Sequence, residues 1–440
     1  MLAYRAGAPV TAGQFLAQVE RLVTVLGSGG HVLNACADRY RFAVGLAASL
    51  LANKVSLLPS TRTPQVIGQL RRFAPDAFCL TDESDCDIEL PLVRFPDGGA
   101  QAPPPAATAL PVPAIAAAQR AAWVFTSGST GTPVPHEKTF GSLIACAHVE
   151  TERLGLPEAP PHTIVATVPP QHMYGLESSV LLPLANGHAL CAERPFYPAD
   201  ICATLAAVPP PRVLITTPLH LRALMACELE LPAIDLIVSA TAPLSAQLAA
   251  QVEQRCATRL LEIYGTTETG SIASRRPTSG SAWRLWPGVT FEPRGGETWA
   301  RGGHIAQPTR LPDVLELTGA DTFLLHGRIA DLVNIAGKRS SLAYLNHQLS
   351  SIPGVLDAAF FHADAPDADA VVTRVGACVV APGLDAAVIT AELRRRIDPV
   401  FLPRPLLLVP SLPRTSAGKL PQEALRALAA GQHKASAAEV

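Results

Sequence analysis

The sequence predicts an α/β protein: a large N-terminal domain of parallel and mixed sheets covered by helices, followed by a small, mobile C-terminal α+β lid. Three observations carry this. Helix-like and strand-like patterns alternate through most of the chain, as they do where helices cover parallel sheet. The strand-like runs end in Gly, Pro or polar residues, which in an open α/β sheet mark the edge where ligands bind. After about Gly327 the texture changes to a shorter series of elements, of a size ordinary for a separate domain.

Taken in order, Gln14 to Leu26 has helical spacing, His31 to Ala37 is a short apolar run, Arg41 to Ala52 is helical and Val55 to Leu58 strand-like. Pro64 to Phe73 (helix) and Ala77 to Leu80 (extended) repeat the pair, giving a first βα unit over residues 1–95. Pro96 to Pro113 is rich in Pro, Ala and Gly without periodicity, so residues 96–120 are expected to be a surface connection. Residues 121–327 resume the alternation, with strands expected at Ala122 to Thr126, Ile164 to Val168, Val213 to Thr217, Leu236 to Ala240 and Leu260 to Tyr264. Helices are expected at Ser142 to Leu154, Leu219 to Ala226 and Ser245 to Cys256. The second domain, 328–440, reads as extended at Leu332 to Ile335, Val371 to Val380 and Leu406 to Val409, and helical at Leu342 to Leu349 and Ala386 to Ile397.

Composition narrows the function. A formal net charge of -2 gives no general attraction to nucleic acid or anionic lipid, so the expected partner is a small molecule and not a nucleic acid. Met1 to Gly30 lacks a basic, apolar and small-residue export signal, and the apolar run Phe42 to Ala52 is too short to span a bilayer. No membrane span is expected, and the protein is expected in the cytoplasm. Nine cysteines without a CxxC pair read as reduced, buried residues and not as a metal site or a disulfide framework.

Four segments bear chemistry. Thr126, Ser127, Gly128, Ser129, Thr130 and Gly131 follow a strand, and two glycines with three or more hydroxyls can turn donors toward an anion. No Gly-Lys-Ser/Thr follows, which excludes a Walker A loop. Tyr264, Gly265, Thr266, Thr267 and Glu268 close another strand; there the aromatic could stack on a base, Thr267 could bind phosphate and Glu268 could hold Mg2+ through a hard oxygen. Asp313 with Arg328 could hold vicinal hydroxyls of a ribose, and Pro413 to Lys419, PRTSAGK, places a lone lysine on a turn. Taken singly, each is equally a polar turn or a surface ion pair.

Together, in this order, the segments resemble the adenylate-forming superfamily, which includes acyl- and aryl-CoA ligases, peptide-synthetase adenylation domains and luciferases. Thr126 to Gly131 is similar to its TSGSTG loop, Tyr264 to Glu268 to its YGxTE motif, and Gly327 to Asp331 to its GRxxD hinge, with Asp313 fifteen residues before Arg328. The resemblance spans roughly Ala121 to Leu425. It implies two half-reactions, a carboxylate attacking ATP and then a thiol displacing AMP. It also implies that Lys419 serves the first half-reaction, that the lid turns about Asp331 within a 328–331 hinge, and that His172 gates the acyl site. Three departures stand out. Val134 and Pro135 replace the loop's usual Lys-Gly, with His136 and Lys138 as possible substitutes; Asn334 replaces a hinge-strand lysine; and the region before the loop is short, so the N-terminal architecture is expected to be reduced.

The acyl pocket is expected among His172, Met173, Tyr174, Gly175, Ser239, Ala240, Thr241 and Gly265, whose small members leave room for a flat ring. No carboxylate for an α-amino group is evident there, which favours an aryl or unsaturated acid. TSGSTGTPVPHEKTF and PPQHMYGLE are similar to ligases of aryl polyene and xanthomonadin-type pigment clusters, which implies a hydroxybenzoate- or cinnamate-like substrate. The implied co-substrates are ATP with Mg2+ and either CoA or a holo acyl carrier protein. A fatty acyl-CoA or acyl-carrier-protein ligase, and a degenerate homologue that binds without catalysis, are the alternatives.

Overall fold

The computed structural model describes residues 1–96, 112–127, 133–156, 160–295, 297–328, 332–335, 338–363, 374–414, 420 and 424–431. Two large sheets organise the N-terminal domain. The smaller has six strands in the order Leu92–Arg94, Phe78–Thr81, His31–Asn34, Val55–Leu58, Arg120–Ser127, Pro133–Thr139. Its first five strands run parallel, and the last folds back antiparallel on Arg120–Ser127.

The eleven-stranded sheet has a parallel centre formed by Arg259–Thr266, Leu236–Ser239, Arg212–Thr216, Thr163–Ala166, Ala189–Cys191 and Ala3–Arg5. From Gly270–Arg275 onward its neighbours are antiparallel: Trp283–Leu285, Thr322–Arg328 and Asp313–Leu317. A three-stranded antiparallel sheet, Val289–Arg294, Glu297–Gly302 and Ile305–Arg310, lies between these in sequence. The C-terminal domain contains the hairpin Leu332–Ile335/Lys338–Ser341 and a sheet of Asp357–Ala363, Arg374–Val380 and Leu406–Leu408, with helices Leu342–Ser350 and Ala386–Arg394.

The expected class therefore holds, but strand pairing divides the chain differently from its sequence order. Ala3–Arg5 joins the larger sheet, while Arg120–Ser127 and Pro133–Thr139, expected with the 121–327 unit, complete the smaller one. The short region before the loop thus contributes strands to both sheets. The helix Arg39–Leu51 lies between them. Ten of its thirteen residues are buried, and one core joins Val32, Leu58, Leu80 and Val124 of the smaller sheet to Ala3 and Leu190 of the larger. Its all-round apolar surface is what a helix covered on every side requires.

At the start of this helix two charged residues fasten the sheets. Asp38 caps it through the Arg41 N–H and pairs with Arg5 at 2.8 Å. Arg39 is fully buried and donates to the carbonyls of Ala166, Val168 and Cys191 and to Ser179 Oγ. Burial pushes its pKa down to about 10, which leaves it charged at neutral pH. The planar guanidinium suits several carbonyls at once in a way an ammonium does not.

A second buried charge site lies on the helix Phe140–Leu154, capped by the Thr139 hydroxyl and ended by Gly155 at φ 68°. Its inner face carries Leu143, Cys146, Ala147, Glu150 and Leu154. Burial pushes the Glu150 carboxyl up from 4.5 to about 8, and the charge of Glu177 adds to this.

Two stability outcomes follow from these buried groups. Arg39→Met leaves three inward carbonyls without donors and is expected to cost on the order of 3–5 kcal/mol, read as a lowered urea midpoint. For Glu150, the folded protein holds a proton between pH 4.5 and about 8 that the unfolded chain releases, so this group's contribution falls as pH rises through that window. Between pH 5 and 8, Glu150→Gln should therefore gain on the wild type by on the order of 3 kcal/mol in urea unfolding, and parallel pH dependences would contradict the assignment.

Candidate active site

The loop that follows Arg259–Thr266 of the larger sheet meets the edge of the smaller one. From the smaller sheet comes the edge strand Pro133–Thr139, on which Val134, His136 and Lys138 alternate onto one face. Val134 is exposed, His136 half-buried and Lys138 buried, so the three descend from rim to interior. His136 Nε2 stands 3.0 Å from Thr126 Oγ1 and 3.6 Å from Glu268 Oε1. Lys138 Nζ donates to the Glu268 carbonyl at 2.8 Å.

Further side chains hold the same loop from below. His304 Nε2 bonds the Thr269 carbonyl at 3.1 Å. Glu177 accepts from both the backbone N–H and the hydroxyl of Ser271, at 3.1 and 2.8 Å. Cys146 Sγ donates to Glu177 at 3.2 Å, and Thr266 and Thr269 close the turn on each other's hydroxyls. Two glycines make the approach possible. A Cβ on Gly265 would meet the Gly270 carbonyl oxygen at 2.3 Å, and one on Gly270, at φ 76°, would meet Glu177 Oε1 at 2.4 Å.

The electrostatics follow from burial. Burial lowers the Lys138 pKa and raises that of Glu177, and each charge works against the other's shift. Burial, then the charge of Lys138, pushes His304 down to about 4, so it is neutral at physiological pH. His136 is lowered by burial against the raising effect of Glu268. The Glu268 side chain remains 30% exposed, which leaves a hard carboxylate facing solvent beside hydroxyl groups.

On the opposite side of the loop, Tyr264 is buried and its phenol donates to Asp313 Oδ2 at 2.7 Å. The ring packs against Trp283 and Phe323 at centroid distances of 5.8 and 5.7 Å. Tyr264 thus serves a core as well as a site rim, beyond the stacking role its motif suggested. Asp313 and Arg328 are directly opposite on neighbouring strands, which gives their fifteen-residue separation a physical meaning: it is the length of one hairpin.

The residues expected at the acyl site line the adjoining strand ends. His172 is half-buried and precedes the short helix Met173–Leu176. Gly175 packs so closely on Pro169 that a Cβ would lie 2.0 Å from its carbonyl oxygen. Tyr174 donates to the Val238 carbonyl at 3.0 Å. Strand alternation puts Ala240 with Val238 and Tyr174, while Ser239 falls on the face of Ile237. Thr241 holds φ 79°, an uncommon backbone for a β-branched residue and one that clusters at functional rims.

Gly128, Ser129, Thr130, Gly131, Asp331 and Lys419 lie outside the described residues, as do the side chains of Ser127, Arg328, Asn334, Lys338 and Arg339. Among the described residues the geometry unites Thr126, Glu268, Tyr264 and Asp313 with His136 and Lys138, which the sequence offers in place of the loop lysine, and adds His304 and Glu177. His304, on the turn between Glu297–Gly302 and Ile305–Arg310, carries no local signal.

The profile of the AMP-binding enzyme family matches residues 30–309, more than half the chain. A 4-coumarate–CoA ligase of Rhodobacter capsulatus is 32% identical over 235 residues, covering 52% of this chain and 57% of that protein. Another, of Cereibacter sphaeroides, is 30% identical over 317 residues, covering 67% and 69%. The chain thus spans little more than half the length of the first of these relatives. Among solved structures, ATP-bound MatB from Rhodopseudomonas palustris superposes with a TM-score of 0.81 at 20% identity, covering 97% of this chain and 95% of that one. The anthranilate–CoA ligase AuaEII, in complex with anthranoyl-AMP, gives 0.80 at 17%, covering 99% and 95%. These two likenesses establish the fold, and the family match, which spans the strands that carry Thr126, Lys138 and Tyr264, shows that the chain belongs to the AMP-binding enzyme family.

Proposed function

We propose that the protein activates a carboxylic acid with ATP, forming an acyl-adenylate and pyrophosphate, and then transfers the acyl group to a phosphopantetheine thiol with release of AMP. The observation that carries this reading is the convergence, on one pinned loop, of the phosphate-strand residue Thr126, the carboxylate of Glu268 and the Tyr264–Asp313 pair. An anion-binding turn, a hard oxygen ligand and a polar group for a ribose are what a nucleotide with its phosphates needs.

The donor set fits Mg2+, which uses one or two carboxylates together with substrate phosphates and water. Glu268 is partly exposed and supplies such an oxygen, with no group of three or more clustered acidic, His or Cys ligands among the described residues to favour a closed metal cage. When bound, the ion would neutralise charge on the phosphates. Asp313 would hold the ribose, and Tyr264 would fix Asp313. Lys419, by its place in the PRTSAGK motif, would approach the α-phosphate as negative charge accumulates there. Rotation of the C-terminal domain about Asp331 would then withdraw it for the thiol step.

The substrate class we favour is an aryl acid, hydroxybenzoate- or cinnamate-like, of the kind handled in pigment-forming clusters. Ala240 is a small group at a strand end, whereas Gly175 and Gly265 give up their side chains to close backbone packing; relatives named for 4-coumarate support the aryl class. CoA and a holo acyl carrier protein present the same thiol, so the acceptor is decided by supplying each in turn.

Pyrophosphate release over a panel of aromatic and fatty acids tests the proposal. Lys419→Ala is expected to slow adenylate formation by about 10²- to 10³-fold while thioester formation from supplied adenylate stays within a few-fold. No acid-stimulated release above this variant would refute the enzymatic reading. Lys138→Met should lower ATP–pyrophosphate exchange by at least ~10-fold and cost on the order of 3 kcal/mol in urea unfolding, because it strips Glu177 of a buried counter-charge and the Glu268 carbonyl of its donor. Full activity in that variant would show that the loop holds its position without the lysine.

A further inference from the structure

Cys146 and Glu150 stand one turn apart on the inner face of the helix Phe140–Leu154, against residues 173–185. The polar partners of Cys146 are Glu177 and Ser271. Glu150 has none. It is fully buried, and neither carboxyl oxygen closes a hydrogen bond. The Ser178 hydroxyl is near enough to draw its pKa down a little, yet the pair does not meet hydrogen-bond geometry and Ser178 Oγ has no other partner either.

Leaving a carboxyl group buried without a partner is unfavourable, and two other buried glutamates of this domain have partners. Glu177 is bonded to Ser271 and Cys146, and Glu262 to Arg275 and the Leu244 N–H. Two neighbouring buried polar side chains without hydrogen-bond partners are what a site lacking its ligand looks like.

Location indicates which ligand. Tyr174 feels the charge of Glu150 and reaches from its short helix to the Val238 carbonyl. Tyr174 in turn shares its sheet face with Ala240 at the strand ends. Ser178 sits on a π-turn, Glu177–Leu181, a local widening of helix that recurs at functional sites. The charge that bears on Glu150 from nearby is that of Glu177.

We propose that Glu150, with Ser178 beside it, forms the far polar wall of the acyl pocket and receives a hydroxyl or amino substituent on the ring of an aryl acid. This rests on the adenylation reading above and narrows its substrate class. The neutral carboxyl offers one donor and one acceptor, which a phenol or aniline group can satisfy together and an unsubstituted ring cannot. A site built to bond such a group discriminates strongly against the analogue that lacks it.

The test compares wild type, Glu150→Leu and Glu150→Gln by pyrophosphate release with 3- and 4-hydroxybenzoate, 4-aminobenzoate and 4-coumarate against benzoate and cinnamate. Calorimetric binding of the matching aryl sulfamoyl-adenosines accompanies it. Glu150→Leu should lower kcat/KM for the preferred substituted acid by about 10- to 100-fold and leave the unsubstituted acid within about threefold. Glu150→Gln, which keeps a donor and an acceptor, should fall between, and the sulfamoyl-adenosine affinities should follow the same order. Equal effects on substituted and unsubstituted acids in an active enzyme would overturn this proposal alone. A wild type that releases pyrophosphate with no acid at all would overturn the adenylation reading and this one with it.

Discussion

The hydrogen bond from Lys138 to the Glu268 carbonyl is the contact on which the site's geometry depends. It joins the edge strand of the smaller sheet to the loop that closes a central strand of the larger one. A buried ammonium is expensive unless it is paired and hydrogen-bonded, and here Glu177 supplies the charge while the carbonyl supplies the acceptor. Glu177 is in turn bonded to Ser271, so the lysine and the glutamate grip opposite ends of one turn. A carboxylate meant to hold a metal beside phosphates is useful only if its position is fixed before the ligands arrive. This chain fixes Glu268 through its backbone and leaves the carboxylate free to face solvent.

The same arrangement explains the departure at Val134. By family resemblance a lysine belongs at that rim position, where it would reach the phosphates. Four residues inward on the same face of the strand, Lys138 is too deeply buried to serve as a phosphate ligand at the rim. The lysine instead holds the loop that carries Glu268. Arg39 performs the corresponding task at the other seam between the sheets, where three carbonyls and a hydroxyl converge on one guanidinium. Carbonyls at strand ends meet a planar fork at one seam and a point charge at the other, as the number of acceptors at each place requires.

Much of this was legible in the sequence, and the rest was hidden for physical reasons. Val55–Leu58 and Pro64–Phe73 fall where periodicity puts them, because parallel strands and their helices carry strong local signals. No strand is expected from the sequence at Pro133–Thr139; it holds two prolines, which only an edge strand tolerates. Strands of the three-stranded sheet, such as Ile305–Arg310, are largely exposed and have no apolar run to reveal them. The assignment of Arg120–Ser127 to the smaller sheet lies in a pairing with Val55–Leu58 more than sixty residues earlier, and periodicity contains no information about partners. At the site, Glu268 and Asp313 stand out as motif residues, whereas His304 and Glu177 look ordinary until folding brings them beneath the loop.

Three buried glutamates in the same domain show how neighbours decide what a carboxyl group does. Burial raises the pKa of each, but Glu262 faces an arginine and Glu177 a lysine, and those cations work against the rise. Both are thereby kept in the service of structure, each tying a backbone N–H to a side chain. Glu150 has burial and a like charge acting in the same direction. It is left protonated, a donor as well as an acceptor, in a helix position where leucine would pack at lower cost. A stability argument alone cannot account for a carboxyl group at that place. An incoming polar group that completes its hydrogen bonds can, and the strand ends beside Tyr174 provide the direction from which such a group would come.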